Sequence, residues 1–379
     1  MSYLEYNTKF VPTGLRKLLY VHWPIFFLII AVACAGFLML FSVAGGSAEP
    51  WMSRQMERFV VGMILMLIVA MIPIWFWRNV AVLGYGVAMV LLIAVEFIGV
   101  ERNGSKRWLD LGVMDLQPSE LMKITLVMLL AAYYDWLPTN KTSRPLWVFI
   151  PVCMIMLPSY FVLSQPDLGT TLLLMLGGAA VMFVAGVHWA YFATVISAGI
   201  GLVVAVLKSQ GTSWQILKDY QYRRIDTFID PSNDPLGAGY HITQAKIALG
   251  SGGLTGRGFM EGTQSRLNFL PEKHTDFIFT TLAEEFGFIG AMTLLVLYGL
   301  IVFFCVATAV TNKDRFAALL TLGVAMAFFL YFSVNIAMVT GLAPVVGVPL
   351  PLVSYGGSAM LVLLIGFGMV QSAHVHKPR

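Results

Sequence analysis

Charge is what this sequence has least of. Of its 379 residues only 12% are Asp, Glu, Lys or Arg, against roughly 25% in an ordinary soluble domain. With 58% hydrophobic residues and a mean hydropathy of +0.79, a water-soluble globule is excluded. The net charge of +4 is scattered, and no block of about five or more like charges occurs, so nucleic-acid binding has little support. Cysteine is scarce as well. Cys34, Cys153 and Cys305 all fall inside apolar runs and read as small hydrophobes, not as a disulfide or metal set. Several enzyme signatures are missing: there is no GxGxxG or GxxxxGK for a nucleotide, no HExxH or other histidine metal spacing, and no GxSxG elbow. The first apolar run lacks a small-residue cleavage site and is expected to stay as a span.

What is present is a series of long uncharged runs. A helix needs roughly 20 mainly apolar residues to cross the hydrocarbon. Runs of that kind cover Leu18 to Ala48, Phe59 to Trp77, Asn79 to Val95, Leu116 to Tyr134, where Glu120 and Lys123 interrupt it, and Pro145 to Pro166. Longer ones cover Leu168 to Leu207, expected to turn at Gly186–Trp189, and Phe316 to Ala373, expected to fold back around Gly341 to Pro351, with Phe286 to Asn312 between them. The expectation is an all-α integral membrane protein of about ten spans, a single polytopic domain over residues 1–379. A large loop, residues 208–276, would separate the seventh and eighth spans. Its aromatic residues, glycines and balanced charges suit a segment packed on the membrane surface better than a linker.

Lys and Arg in the short connections set the orientation. Lys9, Arg16 and Lys17, then Arg78, Lys141 with Arg144, Lys313 with Arg315, and Lys377 with Arg379 fall on one side. Both termini are therefore expected in the cytoplasm, with the 208–276 loop and the segments around Arg107 and Asp167 outside.

Polar residues in or beside these runs are the candidates for chemistry. Glu120 and Lys123, at i and i+3, share a helix face inside an apolar run; they suit either the wall of a polar cavity or an ion pair that fixes helix packing. Asp276 stands just before an apolar run, at an expected water–membrane boundary. It is placed either to act as general base on a sugar hydroxyl or to cap a helix. Asp167 admits the same two readings. Arg102, Lys106, Arg107, Arg223, Arg224 and Lys246 could converge on a diphosphate or contact lipid headgroups.

Six segments then carry a family likeness: Lys106-Arg107-Trp108-Leu109; Gln117-Pro118-Ser119-Glu120 with Lys123; Gln165 through Thr170; Asp234 through Tyr240; Leu270 through Phe279; and Gly347 through Pro351 with Ser354 through Ser358. In order, and over nearly the whole chain, they resemble the signatures of the SEDS family of peptidoglycan glycosyltransferases. The last two are more similar to its elongation branch than to its division branch. The resemblance implies a ten-helix fold and polymerisation of lipid II into glycan strands outside the cytoplasmic membrane, with release of undecaprenyl diphosphate. The 4-hydroxyl of one lipid II would attack the anomeric carbon of another with inversion. It implies Asp276 as catalytic base, with Arg107, Glu120, Lys123, Asp167, Glu272 and Lys273 as substrate-binding or cavity residues. A class B penicillin-binding protein is the implied partner. No metal ligand set is expected, although carboxylates and a diphosphate could share a divalent cation. Two other functions suit the same composition: a flippase for the lipid-linked precursor, and a non-catalytic cell-wall scaffold.

Overall fold

Backbone N–H and C=O groups in hydrocarbon have no water to bond, so an apolar chain of this kind must satisfy them within helices. The computed structural model describes residues 14–102, 105–110, 112, 115–212, 238–266 and 273–377, with isolated positions between 215 and 230. Ten helices of 17 residues or more run through them: α1 (Trp23–Val43), α2 (Met52–Met71), α3 (Ile74–Ile98), α4 (Pro118–Trp136), α5 (Pro145–Ser164), α6 (Leu168–Val184), α7 (Trp189–Ser209), then, after the shorter α8 (Ala238–Ser251) and α9 (Thr263–Arg266), α10 (Ile278–Val310), α11 (Arg315–Val339) and α12 (Gly357–Val375). Seven of these, α1, α3, α5, α7, α10, α11 and α12, are long and apolar enough to cross a membrane. The protein is an all-α, multi-pass membrane protein. Among the described residues the one small sheet is an antiparallel ribbon between α3 and α4, of β1 (Val100–Arg102), β2 (Ser105–Asp110) and β3 (Asp115–Leu116), with Val100 opposite Trp108 and Leu109 opposite Leu116.

The two long runs break where their glycines allow it. Gly186 (φ 97°) turns α6 into α7, and Gly341 (φ 76°) and Gly347 (φ 67°) lie in the non-helical stretch between α11 and α12. Other boundaries differ from the hydropathy reading. α2 begins at Met52 and includes Arg54, Glu57 and Arg58; α3 begins after Pro73 and includes Arg78; α10 begins at Ile278, not Phe286. Hydropathy ends a run at each charge, whereas the helix continues through it and gives the charge a partner or an exposed position. Arg78 pairs with Asp135 at 3.2 Å and Asp314 at 2.6 Å, and the buried Glu284 accepts from Thr263 N (2.8 Å) and Gln264 N (3.1 Å).

α4 is the innermost helix, with fourteen of its nineteen residues buried, packed against α3, α6, α11 and α12. Tyr134, Phe316, Phe328 and Phe367 are fully enclosed in the same core. α7 is the opposite case: only Ser209 is buried, so its apolar surface faces lipid. Two prolines inside α5, Pro151 and Pro158, leave the carbonyls four residues earlier without helical donors. Neighbouring helices supply them: Tyr133 Oη donates to Trp147 O at 2.8 Å, and Tyr85 Oη to Met154 O at 2.9 Å.

The 253–258 segment is tied to α10 by a break in that helix. Gly287 (φ 66°, ψ −162°) leaves the helical region. Arg257 N and Gly258 N donate to the carbonyls of Glu284 and Glu285, while Phe288 N and Ile289 N donate back to Gly253 O and Leu254 O. A Cβ on Gly287 would stand 2.3 Å from Gly256 N, so this crossing is open only to glycine.

Candidate active site

α4 carries the site inward along one face. Glu120 and Lys123 are both buried and pair at 2.7 Å. The third member is Tyr331 of α11, whose hydroxyl donates to Glu120 Oε1 (2.8 Å) and Oε2 (2.9 Å) and accepts from Lys123 Nζ. The ammonium also lies 4.1 Å from the centre of the Tyr331 ring. A buried pair holds its charges only when the remaining lone pairs and protons are satisfied, and Tyr331 does that for both partners. The triad lines an internal cavity of about 50 Å³ with Pro349, Leu350 and Pro351, room for a few waters and not for a sugar.

One turn outward, Gln117 Nε2 donates to Asp167 Oδ2 at 3.3 Å. Asp167 caps α6, accepting from Thr170 N at 3.1 Å, and pairs with Arg107 at 3.6 Å. Arg107, on β2, also donates to Gln165 O (3.0 Å) and Pro166 O (2.6 Å). Its guanidinium is therefore committed to the Gln165-Pro166-Asp167 turn, which it fastens to the ribbon.

Asp276 sits in a backbone frame. The Asn335 side chain, fully buried on α11, donates to Asp276 O (2.9 Å) and to Val348 O (2.6 Å). Ser354 Oγ donates to Thr275 O at 2.5 Å, and Tyr355 N to His274 O at 2.9 Å. The carboxylate faces Gly347, where a Cβ would lie 3.5 Å from Oδ2. α6 meets the same stretch from below, since a Cβ on Gly169 would lie 2.5 Å from Val346 O. The N-cap of α10 is Phe277, with no side-chain cap bond, so Asp276 does not hold the cap position that its sequence setting also allowed.

The structure thus brings Glu120 with Lys123, Arg107 with Asp167, and Asp276 against the 346–355 stretch that roofs the cavity. Lys273 is half-buried, and burial lowers its ammonium pKa from the ordinary lysine value. Glu272, Arg223 and Arg224 lie outside the described residues, as does the Arg102 side chain. Lys246 is exposed beside Gly341. Among the described residues, no three His, Cys, Asp or Glu side chains gather as a metal set.

Ordered motifs, buried intramembrane charges and this framed carboxylate are features a family can be tested against. A family model named FtsW/RodA/SpoVE and described as cell cycle protein matches residues 22–379. The chain belongs to this family. Among its relatives is peptidoglycan glycosyltransferase MrdB of Escherichia coli K12, 42% identical over 337 residues, covering 88% of each chain. The fold superposes on a chain from a peptidoglycan synthase complex that coordinates polymerization and crosslinking, with a TM-score of 0.80 at 31% identity, covering 93% of this chain and 97% of that one. It superposes likewise on the rod shape determining protein RodA of Thermus thermophilus, at 0.69 and 27%, covering 95% and 98%. The SEDS likeness and the elongation-branch wording thus hold for this FtsW/RodA/SpoVE member.

Three residues of this FtsW/RodA/SpoVE site escaped the sequence reading: Tyr331, Asn335 and Gln55. Asn335 had a signal, being an amide in a run without a charge from Phe316 to Ala373. Gln55, 1% exposed on α2, donates to Ser354 O at 2.9 Å; among the charges that begin α2 it looked like ordinary surface. Tyr331 carries no mark that separates it from the other aromatics of its helix.

Proposed function

We propose that this protein is a peptidoglycan glycosyltransferase that polymerises lipid II into glycan strands during cell elongation. The observation that carries the reading is the Asp276 carboxylate, held beside Gly347 by a frame in which Asn335, Ser354 and Tyr355 fix the backbone on both sides of it. A base must be held rigidly at the oxygen it deprotonates, because small misplacement costs orders of magnitude in rate. Asp276 takes the proton of the acceptor 4-hydroxyl. That oxygen bonds to the anomeric carbon of a second lipid II while the bond from that carbon to the diphosphate oxygen breaks. The configuration inverts, and undecaprenyl diphosphate leaves with the bonding pair. Asp167 and Arg107 position the turn that abuts the roof, and the Glu120–Lys123–Tyr331 triad holds α4 and α11 beneath it. Glu272 and Lys273 extend the substrate-contacting set beside the base.

The ten long helices are read as ten spans with both termini in the cytoplasm and Asp276 outside, consistent with a lipid-linked substrate delivered at the outer surface. A class B penicillin-binding protein is the partner we assign, in keeping with the coupling of polymerization and crosslinking described for the synthase complex that this fold resembles.

The test is lipid II polymerisation by purified protein in detergent, with its penicillin-binding partner. Detergent removes the two-sided membrane, so a flippase gives no signal. Asp276→Ala and Asp276→Asn are expected to fold and to lose about 10²- to 10⁴-fold in rate. Wild-type rates in both would remove Asp276 from the chemistry, and absence of glycan from the wild type would return the flippase and scaffold to the front.

A further inference from the structure

A diphosphate needs a cation that is not already engaged, and the two cations gathered at the cavity and the Asp167 turn are both committed. Arg107 gives nitrogens to two carbonyls and Asp167, and Lys123 is held by Glu120 and Tyr331. Arg58 of α2 differs. It is half-buried, and among the described residues its guanidinium has no carboxylate or hydrogen-bond partner. It lies instead 5.3 Å from the centre of the Tyr355 ring. A Cβ on Gly357 would stand 2.9 Å from Arg58 Cζ, so the guanidinium rests against the first residue of α12.

The place is built, not incidental. Gln55, one turn before Arg58 on the same face of α2, donates to Ser354 O (2.9 Å) and accepts from Gly356 N (3.3 Å). That grip fixes Tyr355 beneath Arg58. Tyr355 N binds His274 O at 2.9 Å, and the His274 ring stacks on Trp51 at 4.6 Å and 16°. Trp51, His274 and Tyr355 are half-buried like Arg58. A guanidinium, a helix N-terminus and three rings therefore meet two residues from Asp276. A planar, weakly hydrated guanidinium beside the positive end of a helix is a strong setting for a phosphate ester. The Asp276 carboxylate faces Gly347, whereas Arg58 rests on Tyr355 and the first residue of α12.

Resting on the polymerase reading above, we propose that Arg58, with the first turn of α12 and the Tyr355 ring, binds the lipid-borne diphosphate. The chemistry is shared by phospholipid headgroups, so the experiment separates the two. Polymerisation is followed with lipid II as the varied substrate for wild type, R58K and R58Q, with the penicillin-binding partner present. R58Q is expected to raise KM about tenfold or more, with R58K in between. Farnesyl diphosphate inhibits the wild type more strongly than farnesyl monophosphate, and R58Q loses that preference, which a purely packing role for Arg58 would leave in place. Unchanged KM and unchanged preference in R58Q overturn the assignment. The assay is repeated in nanodiscs of phosphatidylcholine with and without phosphatidylglycerol. If R58Q loses only a stimulation by phosphatidylglycerol, Arg58 serves ordinary headgroups and the diphosphate assignment falls. Direct binding of farnesyl diphosphate to wild type and R58Q decides the anion site even for a preparation that makes no glycan, so this inference and the polymerase reading fail separately.

Discussion

Asn335 offers one amide nitrogen to two backbone carbonyls, those of Asp276 and Val348, in a place with no exposure to solvent. Removing it takes a buried donor from both carbonyls, at about 1–3 kcal/mol. Asn335→Ala is therefore expected to lower the melting temperature in detergent modestly and the polymerisation rate by more than the folded fraction explains, because the frame around Asp276 loosens. A rate that merely tracks folded protein would make Asn335 a packing residue. The Glu120–Lys123–Tyr331 triad gives a second expectation. Lys123→Met strands a carboxylate in the core and costs about 3–5 kcal/mol, whereas Glu120→Gln with Lys123→Met removes both charges and recovers much of it. Equal destabilisation in the single and double variants would contradict the pairing. At this scale Glu120 and Lys123 were legible as candidates inside an apolar run, and Asp167 and Asp276 as acids at the edge of one, while the roles proposed for them came from the family resemblance. Tyr331, Gln55 and Arg58 were not legible, because what distinguishes them is a contact between helices distant in sequence, and Asn335 was marked only as an amide in a charge-free run.

Helices and turns show where hydropathy succeeds. The folds at Gly186 and after Val339 were readable because a run much longer than a bilayer must reverse, and glycine marks the place. The starts of α2 and α10 were not, because a buried charge with a partner and an exposed charge look alike in a window of residues. Gly287 was equally hidden: its need for a positive φ arises from hydrogen bonds to residues 253–258. Gly287→Ala combines a strained backbone, about 1–3 kcal/mol, with a contact to Gly256 N that cannot form without movement. It is expected to free the 252–258 loop from α10, seen as faster amide exchange there and lower thermal stability. Wild-type exchange in the loop would show that the crossing tolerates a side chain.

For the whole molecule, the ten long helices and the distribution of Lys and Arg support the proposal of ten spans with both termini in the cytoplasm. A phosphatase fused after Lys377 is expected to be inactive and one inserted at Thr212 active, and the reverse pattern would invert the topology. Membrane class and overall fold were legible in composition and run length; the arrangement of the helices was not, since α2 packs on α12 from the other end of the chain. Arg78, which joins α3 to Asp135 on α4 and Asp314 on α11, adds one more consequence. The same two helices carry Glu120 about 22 Å from Asp135 and Tyr331 about 26 Å from Asp314, at 1.5 Å per residue. The Arg78 clasp works as the rivet of a pair of tongs, setting from one membrane face how far apart the jaws stand at the other.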